Sequence, residues 1–376
     1  MPMFRVFSAL LLTALIGASV VAPVASAQDA EPDKPAETPA AKTYDSYEAL
    51  FDEFDKRRNV LITKLERLQA EPNPSRDAMQ AAETELIKLD GEYVDALRAY
   101  VAGHAGAADL LPARFELAVT LSRLDDRLAE AVLAAEDFLK SHADSELAAD
   151  ARFIMGQTLF RVAGRENDAL AALEGFLEKH PDRQEADAVR MLRIRTLLFM
   201  DKVADAKRSL QTLLKQERVT KDEGAQAFLN DQLAALDWVG RELPAFALTD
   251  LAGKTISRDD LKGKPVLLFF WDSSSGACLG ELPFIQEAIR LYGEKLTVLG
   301  ISVNESLPAL EQYIERNADA IGFRNVWIDR DAENTLVKKL DVGLIPFNVL
   351  VRADGSIYRY DVRSDDMLRY AALMTR

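Results

Sequence analysis

One cysteine, Cys278, is the sole thiol that this 376-residue chain can bring to a reaction. It closes the run Trp271-Asp-Ser-Ser-Ser275-Gly-Ala-Cys278 and stands one helical turn before Glu281. The pattern predicts a helix over 276–292 with Ser275 as its N-cap, which puts Cys278 in the first turn. Free amides and the helix dipole there favour a thiolate, and the Ser275 hydroxyl can donate to the sulfur. Disulfide exchange within one molecule needs a second thiol to resolve the mixed disulfide, and the chain has none. Two readings stay open. Cys278 forms mixed disulfides that an external thiol resolves, or it is a small buried apolar residue.

The rest of the inventory narrows the chemistry. The three histidines, at 104, 142 and 180, all precede the helical-to-strand transition, so no imidazole lies beside the thiol in sequence. One cysteine and three dispersed histidines build no multi-ligand zinc site, iron–sulfur cluster or intramolecular disulfide, and no cofactor is expected. His142 and His180 fall at equivalent helix ends, where an imidazole can bind the last carbonyls. Lys plus Arg number 46 against 61 Asp plus Glu, a formal charge of −15 that would repel a phosphate backbone. Nucleic acid is therefore not an expected partner. Apolar residues at 48% and charged residues at 28% describe globular material, enough for two or three domains.

Four segments follow from patterning. Residues 1–27 read as a secretory signal, with Arg5, an apolar stretch from Val6 to Val24 and the small-x-small Ala25-Ser26-Ala27. An uncleaved segment would instead tether the protein to the membrane. Residues 28–43 are rich in Ala, Pro and Glu and read as a solvated linker. Residues 44–240 are helical throughout, with helices expected near 45–70 and 75–103 and then a repeat. Ala113-Arg-Phe115 recurs as Ala151-Arg-Phe153, Phe138-Leu as Phe176-Leu, and His142 as His180. Each offset is 38 (151 − 113, 176 − 138, 180 − 142), the length of a two-helix hairpin that buries its face against its neighbours. Residues 241–376 change period. The apolar runs 265–271, 296–303 and 347–351 are separated by helical patterns at 276–292 and 306–317, which argues for a βαβ unit with a parallel pair. Asp354-Gly355 turns the chain into a hairpin at 356–361, and a helix over 365–374 closes it. The fold class is thus a multidomain α+β protein: an all-α helical-repeat domain, then an α/β domain.

The landmarks from about 240 onward resemble the redoxin branch of the thioredoxin fold, in particular the exported thiol–disulfide oxidoreductases of the TlpA/ResA type. Leu243-Pro-Ala-Phe246-Ala-Leu248 resembles the entry strand, Leu261-Lys-Gly-Lys-Pro265 the lead into the first core strand, and Phe270-Trp271 the residues before the active loop. Glu281-Leu-Pro283, Asp341-Val342, Ile345-Pro346 and Asp354-Gly355 continue the resemblance in order. The helical region is similar to tetratricopeptide repeats. The resemblance implies that Ser275 stands at the attacking cysteine's position, and that Cys278 is the shielded resolving residue whose burial raises its pKa. It implies that Glu281 is a local proton acceptor, and that Trp271, Ile345 and Pro346 border the substrate, Pro346 matching the proline that is cis in thioredoxins.

Three functions are compatible with these residues. The first is a redoxin-class thiol–disulfide oxidoreductase with a degenerate S-x-x-C site, at most a single-thiol activity at Cys278, coupled to an interaction domain of repeats. The second is a redox-inactive binding or scaffold protein on the same fold. The third is a thiol peroxidase, since peroxiredoxins present S/T-x-x-C; Trp271 and Pro346 stand where that chemistry needs a proline and an arginine. Expected partners are protein thiols, disulfides or peptide segments of other exported proteins, with an envelope protein on the repeats. The expected location is the periplasm.

Overall fold

The structure is a computed structural model and describes residues 42–71, 75–319, 321–329 and 335–376. The expected signal, 1–27, and all but the last two residues of the expected linker, 28–43, lie outside the described residues. The chain forms two compact units, one ending at Ala206 and the other running from Lys207 to Arg376.

The first unit is a succession of helices: α1 (Tyr47–Gln69), α2 (Arg76–Gly103), α3 (Leu110–Ser122), α4 (Leu128–Ser141), α5 (Ala148–Arg161), α6 (Glu166–Lys179), α7 (Ala186–Phe199) and the start of α8 (Val203–Leu214). Ser46 and Ser75 cap the first two by accepting from Ala49 N and Ala78 N. Ala113, Ala151 and Val189, one repeat apart, are wholly buried on α3, α5 and α7, and Phe138 and Phe176 fill the same place on α4 and α6. The repeat reaches one copy further back than its sequence suggests. His104, His142 and His180 each terminate a helix, with the backbone N–H donated to the carbonyl of Tyr100, Phe138 or Phe176. After His142 and His180 an arginine nine residues past a loop carbonyl closes back on it, Arg152 onto Ala143 O at 3.2 Å and Arg190 onto Pro181 O at 2.6 Å. The imidazoles do less capping than expected. His104 Nδ1 lies 3.0 Å from Tyr100 O, but Nε2 of His142 and of His180 is buried without a hydrogen-bond partner, and both rings pack on the phenylalanine one turn earlier. The backbone makes the cap, and the ring serves as an aromatic wedge.

The second unit takes in the rest of α8, α9 (Glu217–Thr220), α10 (Glu223–Trp238), a hairpin of β1 (Ala247–Thr249) and β2 (Thr255–Ser257), and a five-stranded sheet. Its members are β3 (Val266–Trp271), α11 (Gly276–Tyr292), β4 (Thr297–Ser302), α12 (Leu307–Arg316), β5 (Arg324–Trp327), α13 (Leu336–Lys339), β6 (Phe347–Val351), β7 (Ile357–Tyr360) and α14 (Ser364–Met374). Strand order is β5-β4-β3-β6-β7; β3 pairs parallel with β4 and antiparallel with β6. Every residue of β3 is buried, as its uninterrupted apolar run requires of a strand covered on both faces.

This compact unit includes helices on the N-terminal side of residue 240. Lys207 of α8 pairs with Asp237 of α10 at 2.8 Å, and the end of α10 runs straight into the sheet: Gly240 N donates to Ile357 O and Leu243 N to Gly355 O. The same connecting segment reaches the other margin, where Leu251 N donates to Asn325 O on β5.

Candidate functional site

The loop between β3 and α11 is built on its own side chains. Asp272 Oδ1 accepts from Ser274 N and Ser274 Oγ, both at 2.7 Å, and Asp272 O accepts from Ser275 N. Ser273 is latched to the end of β4: Asn304 Oδ1 accepts from Ser273 N at 3.2 Å, and Asn304 Nδ2 donates to Ser273 Oγ at 2.7 Å. Asn304 is fixed in turn by the Ser302 hydroxyl and by the Trp327 indole, which donates to its carbonyl. Ser275 then caps α11, its Oγ accepting from Cys278 N at 3.4 Å.

Cys278 is the N-terminal-turn residue that the spacing predicts, and it is 0% exposed. Burial pushes its thiol up, against hydrogen bonds from the Ser275 side chain and the Asp272 backbone. The Asp272 carboxylate adds to the rise, and the Arg363 guanidinium opposes it. Desolvation outweighs the helix terminus, so the sulfur is a protonated thiol near neutrality. The half-buried hydroxyl of Ser275 holds the outer position.

Glu281 is buried one turn on, and its carboxylate is fully engaged. Oε2 accepts from Asn348 Nδ2 at 3.2 Å and from Ser364 N at 3.0 Å, and Oε1 from Ser364 Oγ at 2.7 Å. These bonds clamp α11 to the middle of β6 and to the first residue of α14, which is held at φ +50°. The carboxylate expected as a proton acceptor for the thiol is thus hydrogen-bonded to Asn348 and Ser364. Asn348 and Ser364 were missed in the sequence. The signal for Asn348 was present, a lone amide inside the apolar run Phe347–Val351.

Trp271 departs from its expected role. It is completely buried, stacks on Phe269 at 5.8 Å, and donates its indole N–H to Asn325 Oδ1 at 3.1 Å. It offers a ligand no surface, because β3 is covered on both faces and the indole ring is packed beside Tyr313 and Phe323. Ile345 and Pro346 do share one loop, and the bond between them is cis. Pro346 is buried and Ile345 half-buried, while Leu344 just before them is 77% exposed. Among the described residues no group of three or more His, Cys, Asp or Glu side chains is placed to hold a metal ion.

These elements define a class: a redoxin-type thioredoxin-fold domain preceded by tetratricopeptide-like hairpins. Comparison with known proteins agrees. Residues 239–360 match the AhpC/TSA family and residues 150–183 a tetratricopeptide repeat. Over 120 residues the chain is 32% identical to "Thiol-disulfide oxidoreductase ResA" of Bacillus thuringiensis (strain Al Hakam), covering 32% of this chain and 66% of that protein. The counterpart in Bacillus subtilis (strain 168) is 26% identical over 121 residues, 32% of this chain and 65% of that protein. The chain thus spans just under two thirds of the length of these relatives. Among solved structures, the thioredoxin domain of a thiol–disulfide oxidoreductase from Bacteroides vulgatus aligns at 24% identity and a TM-score of 0.34, covering 37% of this chain and 98% of that one. A thiol:disulfide interchange protein from Bacteroides sp. aligns at 27% identity and a TM-score of 0.32, covering 36% of this chain and 90% of that one.

Proposed function

We propose that this is an exported thioredoxin-fold protein of the thiol–disulfide oxidoreductase class that binds segments of other exported proteins and does not turn over disulfides by itself. One observation carries the reading: the outer position of the S-x-x-C loop is a hydroxyl engaged in capping α11, and the chain's only thiol, three residues on, is fully buried with its pKa raised by that burial. A thiol in that state attacks a disulfide slowly, and a mixed disulfide at Cys278 waits on an external thiol. The border of the binding edge is the exposed Leu344 with Ile345 and Pro346. The repeats supply a second surface for an envelope protein, as stacked hairpins do elsewhere. The apolar stretch and small-x-small site within 1–27 support export to the periplasm.

Insulin reduction by dithiothreitol tests this. Wild type is expected to accelerate it no more than Cys278→Ala does. Ser275→Cys, which supplies the absent thiol, is expected to raise the rate at least about tenfold. Wild-type activity that disappears in Cys278→Ala overturns the reading.

A further inference from the structure

Trp238 is the last residue of α10, and its ring lies flat on Tyr360 of β7, with centroids 5.2 Å apart and planes 9° from parallel. Arg241 covers the ring at 5.0 Å to its centroid. Tyr360 in turn holds both ends of the segment 340–347. Its hydroxyl donates to Leu340 O at the end of α13, and its ring meets Phe347 edge-on at 4.8 Å and 83°. Between those two anchors lie Leu344, Ile345 and Pro346, the border of the binding edge. Burial, with the nearby Asp341 and Asp361 carboxylates, keeps the Tyr360 phenol protonated and so a donor throughout the neutral range.

We infer that Trp238 and Tyr360 are positioning residues for the 340–347 loop, so that the last helix of the helical segment sets the geometry of the redoxin domain's binding edge. The loop's two anchors converge on a single ring, and that ring's outer face is closed by a residue outside the thioredoxin fold. A change in how α10 seats on β7 therefore reaches Leu344 through two contacts, without passing through the sheet. Only the use of the loop by a ligand rests on the function proposed above; the positioning stands on contacts within the chain.

Hydrogen–deuterium exchange of the full chain, without ligand, tests it independently of the insulin assay. In Trp238→Ala, exchange over 340–347 should rise at least about tenfold, while β3 and β4 keep wild-type protection. Tyr360→Phe removes only the hydroxyl bond and should loosen the Leu340 end, and Trp238→Phe should restore wild-type exchange. Unchanged exchange over 340–347 in both Trp238→Ala and Tyr360→Phe overturns the inference. An equal rise in β3 and β4 overturns it too, because the tryptophan then contributes only general stability. If Trp238→Ala does not fold, Trp238→Leu, which keeps an apolar side chain but no ring, takes its place, and unchanged exchange over 340–347 in it and in Tyr360→Phe overturns the inference.

Discussion

Ser364 occupies both carboxylate oxygens of Glu281, donating its backbone N–H to one at 3.0 Å and its hydroxyl to the other at 2.7 Å. Hydrogen bonds to a buried charged group contribute about 1.5–3 kcal/mol each, and their donors are left unsatisfied when the acceptor is removed. Glu281→Ala should therefore destabilise the protein by about 3–5 kcal/mol in urea unfolding. Glu281→Gln keeps one acceptor oxygen and should lose about half as much. The pH dependence of Cys278 alkylation should be the same in Glu281→Gln as in wild type. A shifted profile would show that the carboxylate's charge acts on the thiol.

Cys278 itself should be hard to modify. Burial raises its pKa, so the thiolate fraction at neutral pH is below that of an exposed cysteine, and the sulfur has no open path to a reagent. Native-state reaction with iodoacetamide at pH 7 should be at least about a hundredfold slower than in urea-unfolded protein. Asn304→Ala, which releases Ser273 from β4, should raise the native rate about tenfold by freeing the loop above the sulfur. A native rate equal to the unfolded one would count against the buried thiol.

Gly300 of β4 stands opposite Asn325 of β5. A Cβ there would lie 2.1 Å from Asn325 Oδ1 and 2.6 Å from the ring of Phe323. Asn325 Oδ1 is the acceptor of the Trp271 indole, so Gly300→Ala both overpacks the core and strands a buried N–H. The expected loss is about 2–5 kcal/mol, read as a lowered urea midpoint with quenching of Trp271 fluorescence altered in the native baseline.

His180 titrates in the opposite sense to a stabilising ion pair. Burial lowers its pKa, and Arg152, Arg183 and Lys179 add repulsion. The unfolded chain therefore binds the proton more readily, and the stability held above the unfolded pKa of about 6.5 is lost as pH falls below it. Between pH 7.5 and 5 the melting temperature of wild type should fall further than that of His180→Gln. Parallel curves for the two proteins would remove His180 from the pH response.

Much of the fold was legible because burial wrote it into long patterns. The runs 265–271, 296–303 and 347–351 became β3, β4 and β6, and the amphipathic stretch 276–292 became α11. The 38-residue offsets exposed the hairpins, since each copy must fill the same hollow between neighbours. β5 gave no such signal: Arg324-Asn-Val-Trp327 is four residues at a sheet margin, too short to show a period. The site was half legible. The capping geometry of Ser275 and the place of Cys278 follow from local helix rules, which act within one turn. Trp271 misled because a tryptophan beside a reactive loop looks available, whereas β3 is covered on both faces and the indole ring packs on Phe269, Tyr313 and Phe323. Asn304, Asn348 and Ser364 meet the site only through tertiary pairing, which no local spacing encodes.

The segment from Gly240 to Leu251 lies along both margins of the five-stranded sheet, pairing with β7 at one end and β5 at the other. Unpaired strand margins are templates for association with other chains. This segment is thus a hem stitched along the fabric, and it sets where the molecule can be cut. A fragment beginning at Lys207 keeps its hem and should stay monomeric at high concentration; one beginning after Leu251 has two raw selvedges and should precipitate.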